Sequence, residues 1–369
     1  MRPYLLVAAV IIGATTALVG CSTLQRAVEI QSDLDGLTRS GVVGSIATLD
    51  DGTTTAVMTS GVPNRTNGDS IGKNDRVRIG SVTKTFTASL VLQLVTEGKV
   101  DLDAPIERYL PGLLHSSDMD GSGIDGSAIT VRQLLQHRSG LPEFAGEPGA
   151  DEWIAANENR TLTPSAAVAI ALGKPAQFVP GTSFVYTNTN YIVLGMLVES
   201  VSGRSYADEL RSRILDPLDL EDTYLPPAGE LDIRGDHLTG YQDLDGGLTD
   251  VSRTEPSIPW AAGAMVSTGT DLNTFWRALL DGQVVPAEHL AEMTTPQLAA
   301  TEAEGLGYGM GVGATELPCG VTYTGHSGGI YGYYTLSGAT PDRAFTVTLT
   351  STPKDQPDTV AILSHALCP

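Results

Sequence analysis

The chain has 369 residues, 41% of them apolar, and its 43 acidic side chains against 22 basic ones give a formal charge of −21. That balance, with no basic stripe, excludes nucleic acid as a partner and non-specific adsorption to anionic lipid. The length and apolar content suffice for a large core, and no repeat at a fixed period divides the chain.

At the front, Arg2 precedes an apolar stretch from Tyr4 to Val19 that reads as a secretory signal and is short for a membrane span. It ends in Leu18-Val19-Gly20-Cys21, which resembles a bacterial lipobox. The implied leader is 1–20, with cleavage before Cys21, a lipid on that cysteine, and anchorage at the outer face of the cell membrane as a lipoprotein. Residues 21–40 then read as a polar tether to a domain over 41–369. Strand-like runs lie near 42–48, 54–60 and 76–79. Helical patterns come next over 81–97, 130–136, 164–172, 190–202, 205–214 and 271–280, and Thr130 and Gln133 have capping-box spacing. Strand-like runs return near 321–326, 331–338 and 343–351, before a last helix over 359–367. This order predicts an α/β (α+β) fold: one antiparallel sheet built from both chain ends, flanked by helices, with a mostly helical subdomain at about 100–270. Asp118-Met119-Asp120-Gly121-Ser122-Gly123-Ile124-Asp125 has the flavour of a calcium loop, but Ile129 stands where the bidentate glutamate belongs. A solvated insertion is expected there, and neither metal nor cofactor in the chemistry.

Three short motifs carry chemistry. Ser81-Val82-Thr83-Lys84 falls where a strand-like run turns into a helix, and Lys84 is one of only five lysines. Residues three apart share a helix face, so the Lys84 amine can lie beside the Ser81 hydroxyl and take its proton. The bare motif also fits an N-capping serine beside a solvated lysine. Tyr186-Thr187-Asn188 sits in a loop before the 190–202 helix, a place suited to site residues. A phenol near a cation can relay a proton, and the Asn188 amide can bind both a lysine and a substrate carbonyl. His326-Ser327-Gly328-Gly329 ends a strand-like run, and its glycines would let a ligand backbone approach the strand edge.

Together these motifs resemble the penicillin-recognising serine hydrolases, most closely D-alanyl-D-alanine carboxypeptidases of the class C β-lactamase type, in which His-x-Gly replaces Lys-Thr-Gly. The resemblance extends to Val77-Arg78-Ile79-Gly80, Glu97-Gly98-Lys99-Val100-Asp101-Leu102-Asp103, His137-Arg138-Ser139-Gly140-Leu141, Trp260 before Gly263-Ala264, and Cys319-Gly320. It covers about residues 40 to 369 and implies a β-lactamase/transpeptidase-like fold. It further implies an acyl-serine enzyme in which Ser81 is the nucleophile, Lys84 and Tyr186 move its proton, and His326 lines the opposite wall of the cleft on an edge strand. Asn188, Trp260, Ser327, Gly328 and Gly329 would bind substrate, with the backbone N–H groups of Ser81 and Gly329 as the oxyanion hole. It also sets the Cys319 and Cys368 segments side by side, which implies a Cys319–Cys368 disulfide. The expected partners are a peptidoglycan stem peptide or another small acyl substrate, and β-lactams. A monomer is expected.

Two departures bear on the substrate. Gly329 stands where close relatives carry a hydroxyl residue, and by spacing Gly313 takes the place of an arginine that holds a C-terminal carboxylate. An esterase or a β-lactamase-like hydrolase on the same scaffold is the alternative to a carboxypeptidase. Gly325-His326-Ser327-Gly328-Gly329 also fits the G-x-S-x-G nucleophile elbow. That reading needs a helix after Ser327, where the chain is instead aromatic and β-prone.

Overall fold

Antiparallel pairing of strands from both ends of the chain sets the architecture. The structure, a computed structural model, describes residues 15–66, 68–115, 123–296, 307–351 and 358–369. Its strands are β1 (Gly44–Asp50), β2 (Thr55–Gly61), β3 (Val77–Arg78), β4 (Tyr241–Leu244), β5 (Gly247–Asp250), β6 (Val266–Ser267), β7 (Gly307–Tyr308), β8 (Gly313–Glu316), β9 (Thr322–Ile330), β10 (Tyr333–Ala339) and β11 (Ala344–Leu349). Its helices are α1 (Thr15–Arg39), α2 (Thr83–Thr96), α3 (Val131–Leu135), α4 (Glu152–Asn157), α5 (Pro164–Leu172), α6 (Asn188–Ser202), α7 (Tyr206–Leu210), α8 (Trp260–Gly263), α9 (Gly269–Leu280), α10 (Ala287–Thr294) and α11 (Thr359–Leu367).

Seven strands form the main sheet in the order β2-β1-β11-β10-β9-β8-β7, so the N-terminal hairpin joins the C-terminal strands through β1–β11. Alternation along β11 puts Phe345, Val347 and Leu349 on one face, where they pack with Ile30 and Leu34 of α1 and Ile362 and Leu363 of α11. The opposite face meets α9, where the Asn273 amide donates to the Thr48 carbonyl at 2.9 Å and Trp276 Nε1 donates to Ser337 Oγ at 2.8 Å. A second, larger core joins α2, α3, α5, α6 and α9. The Thr130–Gln133 capping box forms at the start of α3, with both reciprocal hydrogen bonds made.

Three expectations are corrected. Residues 21–40 are no polar tether, because α1 runs through them and buries Ile30, Leu34 and Leu37 against the sheet. Their i, i+4, i+7 spacing makes one apolar stripe on a helix. The run near 76–79 does not join the main sheet, since β3 pairs with β6 instead. Strand β9 is interior rather than an edge, but β8 pairs with it only as far as Gly325, so its side is open of β8 from His326 onward. Residues 1–14 of the expected leader and 118–122 of the expected calcium-like loop lie outside the described residues. Among the described residues no helix is long and apolar enough to cross a membrane. The Cys319–Cys368 disulfide is present, with the two Cα atoms 5.9 Å apart, and ties the β8–β9 turn to the end of α11.

Candidate active site

Ser81 lies in a tight turn, Gly80–Val82, that leads straight into α2. Two glycines make this approach possible. Gly80 has φ +51°, and a side chain there would meet the Gly329 backbone at 2.9–3.0 Å. A Cβ on Gly328 would stand 2.0 Å from the Ile79 carbonyl oxygen and 3.1 Å from the Ser81 nitrogen. The bareness of Gly328 therefore serves contact between β9 and the serine turn. Gly329 has open space around its α-carbon instead.

In the first turn of α2, Lys84 is fully buried. Its Nζ donates to Ser81 Oγ at 2.9 Å, Asn188 Oδ1 at 2.8 Å and the Ala262 carbonyl at 2.8 Å. Burial pulls the amine down from its usual 10.5 to about 7, while Glu143 pulls the other way. A neutral amine beside a serine hydroxyl is a competent proton acceptor. The Tyr186 ring lies 4.8 Å from Lys84 Nζ, at the end of the loop before α6.

Across the cavity, His326 Nδ1 donates to the Ser327 carbonyl, which leaves Nε2 to accept from the Tyr308 hydroxyl at 3.1 Å. Burial, with Lys84 nearby, pushes His326 down to about 3, so its ring is neutral at physiological pH. The cavity of about 130 Å³ is lined by Ser81, Tyr186, Tyr308, Gly313, Gly325, His326, Ser327 and Gly329. The fold thus brings Ser81, Lys84, Tyr186, Asn188, His326, Ser327 and Gly329 to one place from α2, the α6 entry and β9. Trp260 is not among the lining residues. It packs instead against Gly195 of α6 and the Tyr206 ring, whose centroid is 5.3 Å away. What α8 contributes is the Ala262 carbonyl that receives Lys84. Ser327 sits within a continuous strand with no helix after it, which removes the elbow reading.

Sequence reasoning missed three residues. Tyr308 of β7 was invisible because its strand has two residues. His137 is buried with φ +54°, and its Nδ1 accepts from the Thr187 N–H at 3.2 Å, supporting the Tyr186 loop from below. Its ring lies 4.1 Å from that of Tyr186, and burial keeps it far below its usual pKa. Glu143 accepts from both the Asn188 backbone N–H (2.6 Å) and the Asn188 side-chain amide (3.0 Å). His137 and its neighbours stood in a recognisable stretch without an assigned role, and Glu143 had no pattern at all.

The family model described as Beta-lactamase matches residues 30–366. "Penicillin-binding protein 4" of Amycolatopsis lactamdurans is 31% identical over 233 residues, 62% of this chain. The chain spans 57% of the length of that curated relative and of a second, from Bacillus subtilis. A D-stereospecific amidohydrolase from Streptomyces sp. has a TM-score of 0.84 and 36% identity, covering 93% of this chain and 98% of its own. The D-amino acid amidase from Ochrobactrum anthropi SV3, complexed with L-phenylalanine amide, has a TM-score of 0.80 and 27% identity, covering 92% and 98%. With the serine–lysine pair, the tyrosine loop and the histidine strand in one cavity, the chain belongs to the β-lactamase family of penicillin-recognising serine hydrolases.

Proposed function

We propose that this acyl-serine hydrolase cleaves amides of D-configured amino acids or short peptides. The observation that carries this reading is the cavity lining. Beside Ser81 it offers hydroxyls, a neutral imidazole and glycines, with Gly313 at the place expected for a carboxylate-binding arginine. A carboxypeptidase must hold a leaving group that bears a carboxylate, for which a cationic side chain is the strong partner. An amidase releases ammonia or an uncharged amine and has no such need. The Streptomyces amidohydrolase, similar over nearly the whole of both chains, supports the same direction.

In this reading Ser81 Oγ attacks the amide carbonyl and Lys84 Nζ takes its proton. Tyr186 and Lys84 return a proton to the leaving nitrogen as the C–N bond breaks. Water then adds to the acyl-Ser81 carbonyl and releases the acid. The Ser81 and Gly329 N–H groups serve the oxyanion, each worth about 3 kcal/mol of barrier. D-Ala-D-Ala carboxypeptidase activity is the second reading, favoured by His326 and Ser327 in the cavity wall. Ammonia release from D-phenylalanine amide, against L-phenylalanine amide and a D-Ala-D-Ala tripeptide, separates them. Turnover of the D-amide with little from the tripeptide is expected. D-alanine release without amide turnover would move the assignment to the carboxypeptidase.

We propose also that the chain is exported, lipidated on Cys21 and monomeric. A Cys21→Ala variant recovered still bound to membranes would count against the anchor, and light scattering of the chain reads the assembly state.

A further inference from the structure

We propose that Glu143 is a positioning residue of the acyl-transfer site, which clamps the Asn188 amide toward Lys84 and sets the pH at which Lys84 takes the Ser81 proton. The inference rests on Lys84 being that proton acceptor. The two ends of an Asn amide are nearly the same in shape and opposite in hydrogen bonding. Glu143 Oε2 accepts from Asn188 Nδ2, so Oδ1 is the end left for Lys84 Nζ. A flipped amide would set an NH2 group against the amine and lose the 2.8 Å bond.

The carboxylate is itself held in place. Its Oε2 also takes the Asn188 backbone N–H, and its Oε1 takes the Ala145 N–H at 2.9 Å. The neighbouring Pro142 carbonyl accepts from Thr189 Oγ1 at 2.7 Å, which fastens the Glu143 loop to α6. Lys174 donates to the Glu143 backbone carbonyl, not to its carboxylate, and pairs with Glu147 at 2.6 Å.

The other groups that face Lys84 are Ser81, the rings of Tyr186 and Tyr191, and the imidazoles of His137 and His326. Burial keeps both imidazoles neutral and raises the Tyr191 phenol above its usual value. Among the described residues, Glu143 is therefore the anion that acts on the amine. Burial alone would push the amine lower, where its neutral form persists but is a weaker base. The carboxylate holds it near working pH, where a proton acceptor is most effective.

The test is the second-order rate of Ser81 labelling by a fluorophosphonate between pH 5 and 10, which needs no knowledge of the substrate. In that step a Ser81 Oγ–P bond forms, the P–F bond breaks, fluoride leaves, and the Ser81 proton goes to Lys84. Glu143→Gln removes the charge and keeps the size. Its labelling midpoint is expected to fall by about one pH unit, with a lower plateau. Glu143→Asp keeps the charge and shortens the reach, so its midpoint should stay and only its plateau fall. A Glu143→Gln midpoint equal to wild type overturns the proposal, whatever the plateau does. Should Glu143→Gln not fold, a Glu143→Asp midpoint displaced by about a unit overturns it equally. Lys84→Met separates the underlying reading: a plateau and midpoint unchanged there would mean that Lys84 is not the acceptor at all.

Discussion

Raising the pH through about 7 is predicted to switch on acylation of Ser81, because Lys84 titrates there. The cause is its complete burial, which outweighs the opposing pull of Glu143. Only the neutral amine accepts a proton. A lowered lysine pKa therefore makes the active form available at lower pH, and below about pH 7 the rate falls tenfold per unit. At pH 7 about half of the amines are neutral. An ordinary lysine near 10.4 would offer roughly 4 in 10,000, so burial contributes on the order of a thousandfold to the reactive population. The assay is stopped-flow release of p-nitrophenol from p-nitrophenyl acetate, with Ser81→Ala subtracted as background. A single ionisation with its midpoint near 7 is expected. A rate flat between pH 5 and 9, or a midpoint near 10, would refute the argument that burial poises Lys84.

Three further perturbations test the framework around the site. Gly328→Ala should abolish Ser81 labelling, since its methyl must push β9 off the Ile79 carbonyl 2.0 Å away; a variant as reactive as wild type would show that the strand can move freely. Removing the disulfide with Cys319→Ser and Cys368→Ser should cost about 4 kcal/mol for a loop of this size in the chain-entropy model, read as a fall in the urea midpoint, with a slope that rises as the freed unfolded chain exposes more surface. Deletion through Arg39 strips Ile30, Leu34 and Leu37 from the sheet, a loss of about 5–8 kcal/mol that rivals the whole stability of an ordinary domain, so the truncated chain should fail to fold cooperatively. A two-state melt at the wild-type temperature would restore the tether reading.

The parts of the site with fixed chemistry were legible in the sequence. Ser81 and Lys84 were found because helical spacing alone places an amine beside a hydroxyl, and the structure sets them 2.9 Å apart. Asn188 was expected to meet a lysine, and it does. The long strands and α11 were legible from alternation and from helical period. Short strands such as β7 and β8 were not, because two to four residues carry no period. The helix α1 was hidden for a different reason. Polar residues between Ile30, Leu34 and Leu37 made a tether plausible, while the stripe they interrupt was enough to bind a sheet face. Trp260 was placed by resemblance, and the α8 backbone rather than the indole proved to touch the machinery. Glu143 left no trace because a lone carboxylate in a loop acquires meaning only when folding brings Asn188 to it.

The most direct test is acid-quenched mass spectrometry of the chain mixed with benzylpenicillin, with peptide mapping and Ser81→Ala alongside, and drug hydrolysis followed in the same samples. One penicilloyl group on the Ser81 peptide, absent from Ser81→Ala, is predicted. A penicilloyl group that survives Ser81→Ala, or a folded wild-type chain that neither holds nor hydrolyses the drug, would contradict Ser81 as the nucleophile of a penicillin-recognising site.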